Sequence, residues 1–371
     1  MRILLVSHPP LRPEFGAAQL AIELASALRA RGHDAIAWSP EPLPRGGKID
    51  AHLGGHFKRQ RQAIERHVAE AGPFDVIDLP ALSVTRTLAA AGFVVARSIQ
   101  PDLLYLAASL RERIRHRPFS PLVPLEMLRA ARLTAALHAG FRRADVLLCL
   151  GRAERDWMAR RTPAFGPKLA TYVAALSADD RGALADVRSA RRLRDPAAGL
   201  RFLWLGRWVA QKGPHRLLAW FAARSRSYSN DRHPHDRLTI AGCGNLDLPR
   251  RARELAAAGR LRIVPHYERT ALPDLLAEHD VGLFTSVAEG WGLSLHEMIE
   301  SGLPVYATPA GGAPDLADAL PRTVRPFPPP DRIDAADLAI DDLDVSGYFE
   351  RFSWPRIAEE YERLLVERFG R

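Results

Sequence analysis

The chain is poor in cysteine: only Cys149 and Cys243 occur, each inside an apolar run. Two cysteines make neither a disulfide framework nor a zinc cluster, which points to a reducing, cytoplasmic setting. No apolar stretch approaches the roughly 18–20 residues that a membrane span requires. The N-terminal run Met1–Val6 turns polar and proline-rich at once, through Ser7, His8, Pro9 and Pro10. A secretory leader needs an apolar core of about 7–15 residues there, so this run reads as a buried first strand. Internal repeats and low-complexity segments are absent. The glycine signatures of two large nucleotide-binding classes are missing as well. Gly242-Cys243-Gly244 lacks the third glycine of a dinucleotide fingerprint, and the first strand leads into Ser-His-Pro-Pro instead of one. Lys212 is preceded by glutamine and followed by glycine, which is not a P-loop.

What is present is a globular composition, 47% hydrophobic and 26% charged. At 371 residues the chain is about right for two domains of roughly 150 residues each. The formal charge of +9 raises nucleic acid as a partner. Two features count against it. Only four of the 52 basic residues are lysines, an arginine bias typical of GC-rich coding. Residues 1–185 hold 26 basic and 17 acidic residues, whereas 186–371 hold 26 of each, so the excess belongs to the first half. No nucleic-acid partner is expected.

Short apolar runs alternate with amphipathic stretches, the pattern of βα units and parallel sheets. Strands are predicted at 2–7, 35–39, 74–79, 93–97 and 145–150, with a helix over 17–31 stopped by Gly32. A polar stretch, 189–199, has the composition of a linker. Strands then follow at 201–206, 237–241, 261–264, 280–284 and 303–307, with helices near 214–226, 249–259, 271–279, 292–301 and 312–319. A last amphipathic helix covers 354–369. The expected architecture is α/β: two Rossmann-like, doubly wound domains facing a cleft, 1–190 and 200–348. A C-terminal segment, 349–371, packs back toward the first. Ligands of such sheets bind at the carboxyl ends of strands.

The most specific segment is Glu289-Gly290-Trp291-Gly292-Leu293-Ser294-Leu295-His296-Glu297, which follows an apolar strand and opens a helix. Gly290 and Gly292 let backbone approach a ligand closely, and a helix N-terminus offers free N–H groups to an anion. Glu289 and Glu297 straddle that anion site and suit the hydroxyls of a sugar and a ribose. Arg207 and Lys212 flank a turn after another strand. They could neutralise the charge that builds on a nucleoside diphosphate leaving group, a task otherwise given to a metal.

These residues resemble the Glu-x7-Glu signature of glycosyltransferase family 4, and the resemblance runs along the whole chain. Gly206-Arg207 through Lys212-Gly213 resembles that family's phosphate clamp. Leu238–Gly244, Gly302-Leu303-Pro304-Val305, Gly311–Asp315 and, at the start, Gly16 with Arg31-Gly32-His33 resemble its other elements. The resemblance implies a GT-B fold and a retaining transfer without metal or other cofactor. The donor would be a UDP- or GDP-sugar and the acceptor a glycan or lipid-linked glycan. It assigns the ribose to Glu297 and the transferred sugar to Glu289. The diphosphate falls to Arg207, Lys212 and backbone near Gly16, Gly290, Gly292 and Leu293. It implies no protein nucleophile. His8, after the first strand, is a further catalytic candidate, whereas His33 is expected to end the first helix and His296 to serve packing.

The pattern departs from the family at two places. Arg97-Ser98-Ile99-Gln100-Pro101 replaces a Ser-His-Gly, and Val173-Ala174-Ala175-Leu176 replaces an Asn-Gly, so the acceptor is not inherited. A nucleoside-diphosphate-sugar epimerase and a non-catalytic sugar-nucleotide or anionic-polymer binder are the alternatives. Asp342-Leu343-Asp344 has the form used by metal-dependent transferases but lies in an acidic late segment and reads as solvated surface. Two cationic segments of the first half, Phe57–Val68 and Leu110–Arg117, suggest contact with an anionic membrane surface at its inner face.

Overall fold

The computed structural model describes residues 1–12, 15–43, 55–116, 123–226, 235–246 and 248–369. The chain forms two compact units, one of Met1–Ala174 with Phe352–Arg371 and one of Ala175–Arg351. The helix Ala178–Ala190 and the polar stretch 189–199 therefore fall in the second unit.

In the first unit six parallel strands form one sheet: β1 (Arg2–Val6), β2 (Asp34–Trp38), β3 (Val76–Leu79), β4 (Phe93–Arg97), β5 (Val146–Leu150) and β6 (Leu169–Tyr172). Their order is β2-β1-β3-β4-β5-β6, so the winding reverses between β1 and β3. Every residue of β3 and β5 is buried, as expected for a parallel sheet covered on both faces. Leu4, Ile77, Val94, Phe141 and Leu147 share its core. The C-terminal helix Trp354–Phe369 packs on the helix Gly16–Ala30, burying Ile357, Tyr361 and Leu365. Its Glu362 pairs with Arg31 and His33, and its Tyr361 hydroxyl donates to Asp78 at 2.7 Å.

The second unit holds β7 (Arg201–Leu205), β8 (Arg237–Ala241), β9 (Leu261–Val264), β10 (Val281–Phe284), β11 (Val305–Ala307) and β12 (Val324–Pro326). All are parallel in the order β12-β11-β10-β7-β8-β9, the doubly wound arrangement, with its reversal between β7 and β10. Its core gathers Phe202, Trp204, Phe221, Ile240 and Leu283.

The predicted strands are all found, and two more appear. β6 and β12 are edge strands of four and three residues, too short to show a period, and β12 ends in a proline that only an edge tolerates. The helix Gly55–Ala71 differs from the membrane-facing reading. Ile64 and Val68 sit in the core of the first unit, and Arg61 donates its Nε to the Leu82 carbonyl at 2.6 Å. The apolar side of that helix is spent on the fold. Of the second cationic segment, Arg117 and the side chains of Glu112, Arg113, Arg115 and His116 lie outside the described residues.

Candidate active site at the β7–β10 reversal

β7 and β10 are hydrogen-bonded neighbours, with Trp204 beside Leu283, so the segments leaving their carboxyl ends meet. After β7 the chain makes a turn, Ala210–Lys212, closed by Gly213 at φ +66°. After β10 comes Thr285, whose hydroxyl accepts from Trp204 Nε1 at 3.0 Å and donates to the Lys212 carbonyl at 2.9 Å. The Val287 amide donates to the Gln211 carbonyl at 2.7 Å. Thr285 O would lie 2.1 Å from a Cβ on Gly213, so only glycine lets the two segments close.

This arrangement aims Lys212 at Glu289. Lys212 Nζ donates to Glu289 Oε2, which also accepts from Ser286 Oγ at 3.1 Å. Both charged side chains are largely shielded, 18% and 14% exposed. The cation expected to meet the diphosphate and the carboxylate expected to meet the sugar thus form one ion pair. Arg207 is exposed and makes no ion pair among the described residues.

The loop carrying Glu289 is held from its far side. Gly292 has φ +92°, and a Cβ there would come within 2.8 Å of the Phe284 ring. The Trp291 ring lies against Gly312, and its Nε1 donates to His296 Nε2. Because indole only donates, His296 Nε2 carries no proton and Nδ1 does. Nδ1 donates to the Tyr348 hydroxyl, which donates to Glu300 Oε1 at 3.0 Å. Arg181 closes the chain with two bonds of 2.9 Å to Glu300. Burial pushes the His296 pKa down and that of Tyr348 well up. Burial alone would raise Glu300, but the nearness of His296 and the bonds from Arg181 outweigh it and hold the carboxyl below its usual range.

Glu297 sits inside the helix Leu293–Glu300 and is 5% exposed. Its carboxylate receives Arg269 Nη1, and Arg269 Nη2 lies 2.9 Å from Asp180. Ser294, in the first turn of that helix beside Gly290, Gly292 and Leu293, has a buried hydroxyl without a hydrogen-bond partner. Composition gave no signal for Asp180, Arg269, Glu300 or Tyr348; they reach the site from 28 to 119 residues away along the chain. His296 does more than pack, since both its nitrogens are bonded.

Two further candidates belong to the first unit. Gly16 opens the helix Gly16–Ala30. His8 leaves β1 at the reversal of the first sheet, and its Nε2 lies 2.9 Å from Ser83 Oγ. Burial, with His56 and Arg61 nearby, pushes its pKa down to about 4.

Residues 199–340 match the family described as Glycosyl transferases group 1, a segment inside the second unit. The whole chain superposes on solved GT-B structures. HepE of Anabaena, solved with UDP and glucose, is 16% identical, with 99% of each chain covered and a TM-score of 0.61. Sucrose-phosphate synthase of Thermosynechococcus elongatus is 16% identical over 100% of both chains, with a TM-score of 0.63. The lipopolysaccharide outer core galactosyltransferase WaaB is 12% identical over 99% of each, also at 0.63. By fold the chain is GT-B, and its segment 199–340 is similar to a glycosyltransferase family. No curated protein matches its sequence.

His8 makes the stability of the protein depend on pH. His8 titrates near 4 in the folded protein and near 6.5 when unfolded, so unfolding takes up a proton between those values. Its contribution is present above pH 6.5 and is lost as pH falls through about 4. Thermal melts across that window should show a falling midpoint, with a shallower slope in His8→Asn. An unchanged slope in the variant would rule His8 out as the cause.

Proposed function

We propose that the protein is a metal-independent, retaining hexosyltransferase that uses a UDP- or GDP-sugar and a glycan or lipid-linked acceptor. The observation that carries this reading is the Lys212–Glu289 pair at the reversal of the second sheet, beside the glycine turn that opens the helix Leu293–Glu300. Fixed cations do most where charge develops in the transition state. Lys212 and the exposed Arg207 would take the negative charge growing on the leaving diphosphate. Ser294 and the helix N-terminus would donate to the same phosphates. Glu289, already bonded to Lys212, would grip a sugar hydroxyl, and Glu297 the ribose. HepE was solved with UDP and glucose and a starch synthase with ADP, which supports a nucleotide-sugar donor.

Metal independence rests on where the carboxylates are spent. Asp342 accepts from the Arg322 amide at 2.9 Å and from the Thr323 hydroxyl, and Asp344 lies 3.8 Å from Arg188. Asp342 is thus engaged in capping the turn at Arg322 and Thr323, and Asp344 is an exposed surface carboxylate.

A membrane-facing surface, if the acceptor is lipid-linked, would lie on the helices Asp102–His116 and Val123–Arg143. Ile114, Leu125, Met127 and Leu128 are 38–58% exposed there, among the exposed Arg111, Arg129 and Arg132. Cations next to apolar side chains suit an anionic bilayer, each cation adding about 1 kcal/mol near the headgroups. Among the described residues no helix is long and apolar enough to cross a membrane.

Three measurements test these readings. EDTA should leave sugar transfer intact, while Lys212→Ala should lower turnover about 10²–10³-fold with little change in donor affinity; strict dependence on added manganese or magnesium would overturn the metal-free mechanism. In calorimetry, Glu297→Ala should weaken free nucleotide by about 1.5–3 kcal/mol, the worth of a charged hydrogen bond. Glu289→Ala should not weaken it, because removing that carboxylate leaves Lys212 free for phosphate, yet should damage turnover. Identical nucleotide affinities for both variants and wild type would break the assignment. The protein should pellet with anionic vesicles and not neutral ones, be released by salt, and lose the interaction in Leu125→Glu/Leu128→Glu; equal partitioning onto both vesicle types would exclude the membrane surface.

A further inference from the structure

Burial leaves few directions around the Glu297 carboxylate open to a ligand. One of its oxygens, Oε1, accepts from Arg269 Nη1. The other, Oε2, has no hydrogen-bond partner among the described residues and keeps contact with solvent. The direction of that free oxygen is therefore set by Arg269.

Arg269 is held in its turn. Its Nε donates to Asp180 Oδ1 at 3.0 Å, and its Nη2 lies 2.9 Å from Asp180 Oδ2. This two-pronged pairing locks guanidinium and carboxylate in one plane and leaves Nη1 for Glu297. Asp180 is fixed as well, in the first turn of the helix Ala178–Ala190. Its amide donates to the capping hydroxyl of Ser177 at 3.1 Å, and that hydroxyl donates to Asp180 Oδ2 at 2.8 Å. Burial works against the Arg269 charge, but Asp180 and Glu297 outweigh it and keep the guanidinium firmly protonated. Ser177, Asp180, Arg269 and Glu297 all belong to the second unit.

Stability alone does not account for this arrangement. The Arg269 side chain is 42% exposed, and ion pairs in reach of water add little to a fold. It also borders a groove of about 300 Å³ shared with Asp179, Leu184, Thr270 and Pro273. An arginine with a single partner has room to turn into such a groove and release Glu297. The Asp180 fork removes that freedom before any ligand arrives. An acceptor whose direction is fixed beforehand loses less on binding than one that must be ordered by the ligand.

We infer that Arg269, held by Asp180, is the positioning residue that turns Glu297 Oε2 toward the hydroxyls of a ribose. This role rests on the proposed assignment of the ribose to Glu297. Calorimetry with UDP, GDP and their 2′,3′-dideoxy counterparts reads the ribose contact as a ratio of affinities. The wild type should favour the hydroxylated form of whichever nucleotide it binds by at least about tenfold. Arg269→Ala should lower that ratio at least about fivefold, and Asp180→Asn should lower it by a smaller factor. Arg269→Lys keeps the charge but has no fork, and should not restore it. A lost cation or a loosened fold weakens both forms of the nucleotide alike, so the ratio separates positioning from a structural role. A ratio intact in Arg269→Ala but lost in Glu297→Ala would overturn the role of Arg269 and leave the ribose assignment standing. A ratio that rises in Arg269→Ala would make the arginine a competitor for the carboxylate and overturn the role too. A wild-type ratio near one, or one unmoved by Glu297→Ala, would overturn the ribose assignment itself and the role of Arg269 with it.

Discussion

Thr285 stands where the segments after β7 and β10 must share one patch of space, and its hydroxyl satisfies both. It accepts from Trp204 Nε1 inside the core and donates to the carbonyl of Lys212 outside it. Backbone groups beyond a strand end have lost their ladder and need partners. Here the partner is also what aims the lysine. A lysine on an untethered turn would be a solvated cation, and an ion pair it made would contribute about 0–1 kcal/mol. Tied to Thr285, and with Gly213 allowing the backbones to touch, Lys212 reaches Glu289 with most of its side chain shielded. The pair is therefore a consequence of strand order, since only the reversal puts β7 next to β10.

A second constraint comes from below the glycine turn. Trp291, His296, Tyr348, Glu300 and Arg181 form one buried chain of hydrogen bonds that ends in an ion pair. Such a network is favourable only when every member is satisfied, because each unpaired group would carry its full desolvation cost. A neutral histidine suits the middle of the chain. It accepts on one nitrogen and donates on the other, so polarity runs unbroken from the loop of Glu289 to the carboxylate of Glu300, which Arg181 meets as a donor from the other side. The loop is rigid on one side for the same reason that it is close-packed on the other, where Gly311 and Gly312 leave no room between themselves and Trp291.

In the first unit the positive excess sorts into different uses. Arg61 is consumed in packing the helix Gly55–Ala71, whose apolar side belongs to the core. Arg97 is buried against Asp78. Arg111, Arg129 and Arg132 stay outside among exposed apolar side chains. Net charge counts these residues equally, yet only the last group can act on a distant partner, since burial and pairing cancel the field of the others.

How much of this could be read from residue order follows from the range of each interaction. The two sheets were legible because buried parallel strands are continuous apolar runs, and the glycine turn with Glu289 and Glu297 was legible because it is local. Lys212 was found by its place after a strand. The edge strands β6 and β12 escaped notice, being too short for a period to show. The side to which Phe57, Ile64 and Val68 turn was ambiguous as well, because a helical stripe looks alike whether it meets a core or a bilayer. The sequence by itself determined the fold class and the identity of the charged groups at the turn. Only the tertiary structure decided their partners: Lys212 with Glu289, Glu297 with Arg269, Arg269 with Asp180, His296 with Tyr348, and Arg97 with Asp78. Those pairings join residues up to 89 positions apart and depend on strand order and burial, which periodicity along a chain does not encode.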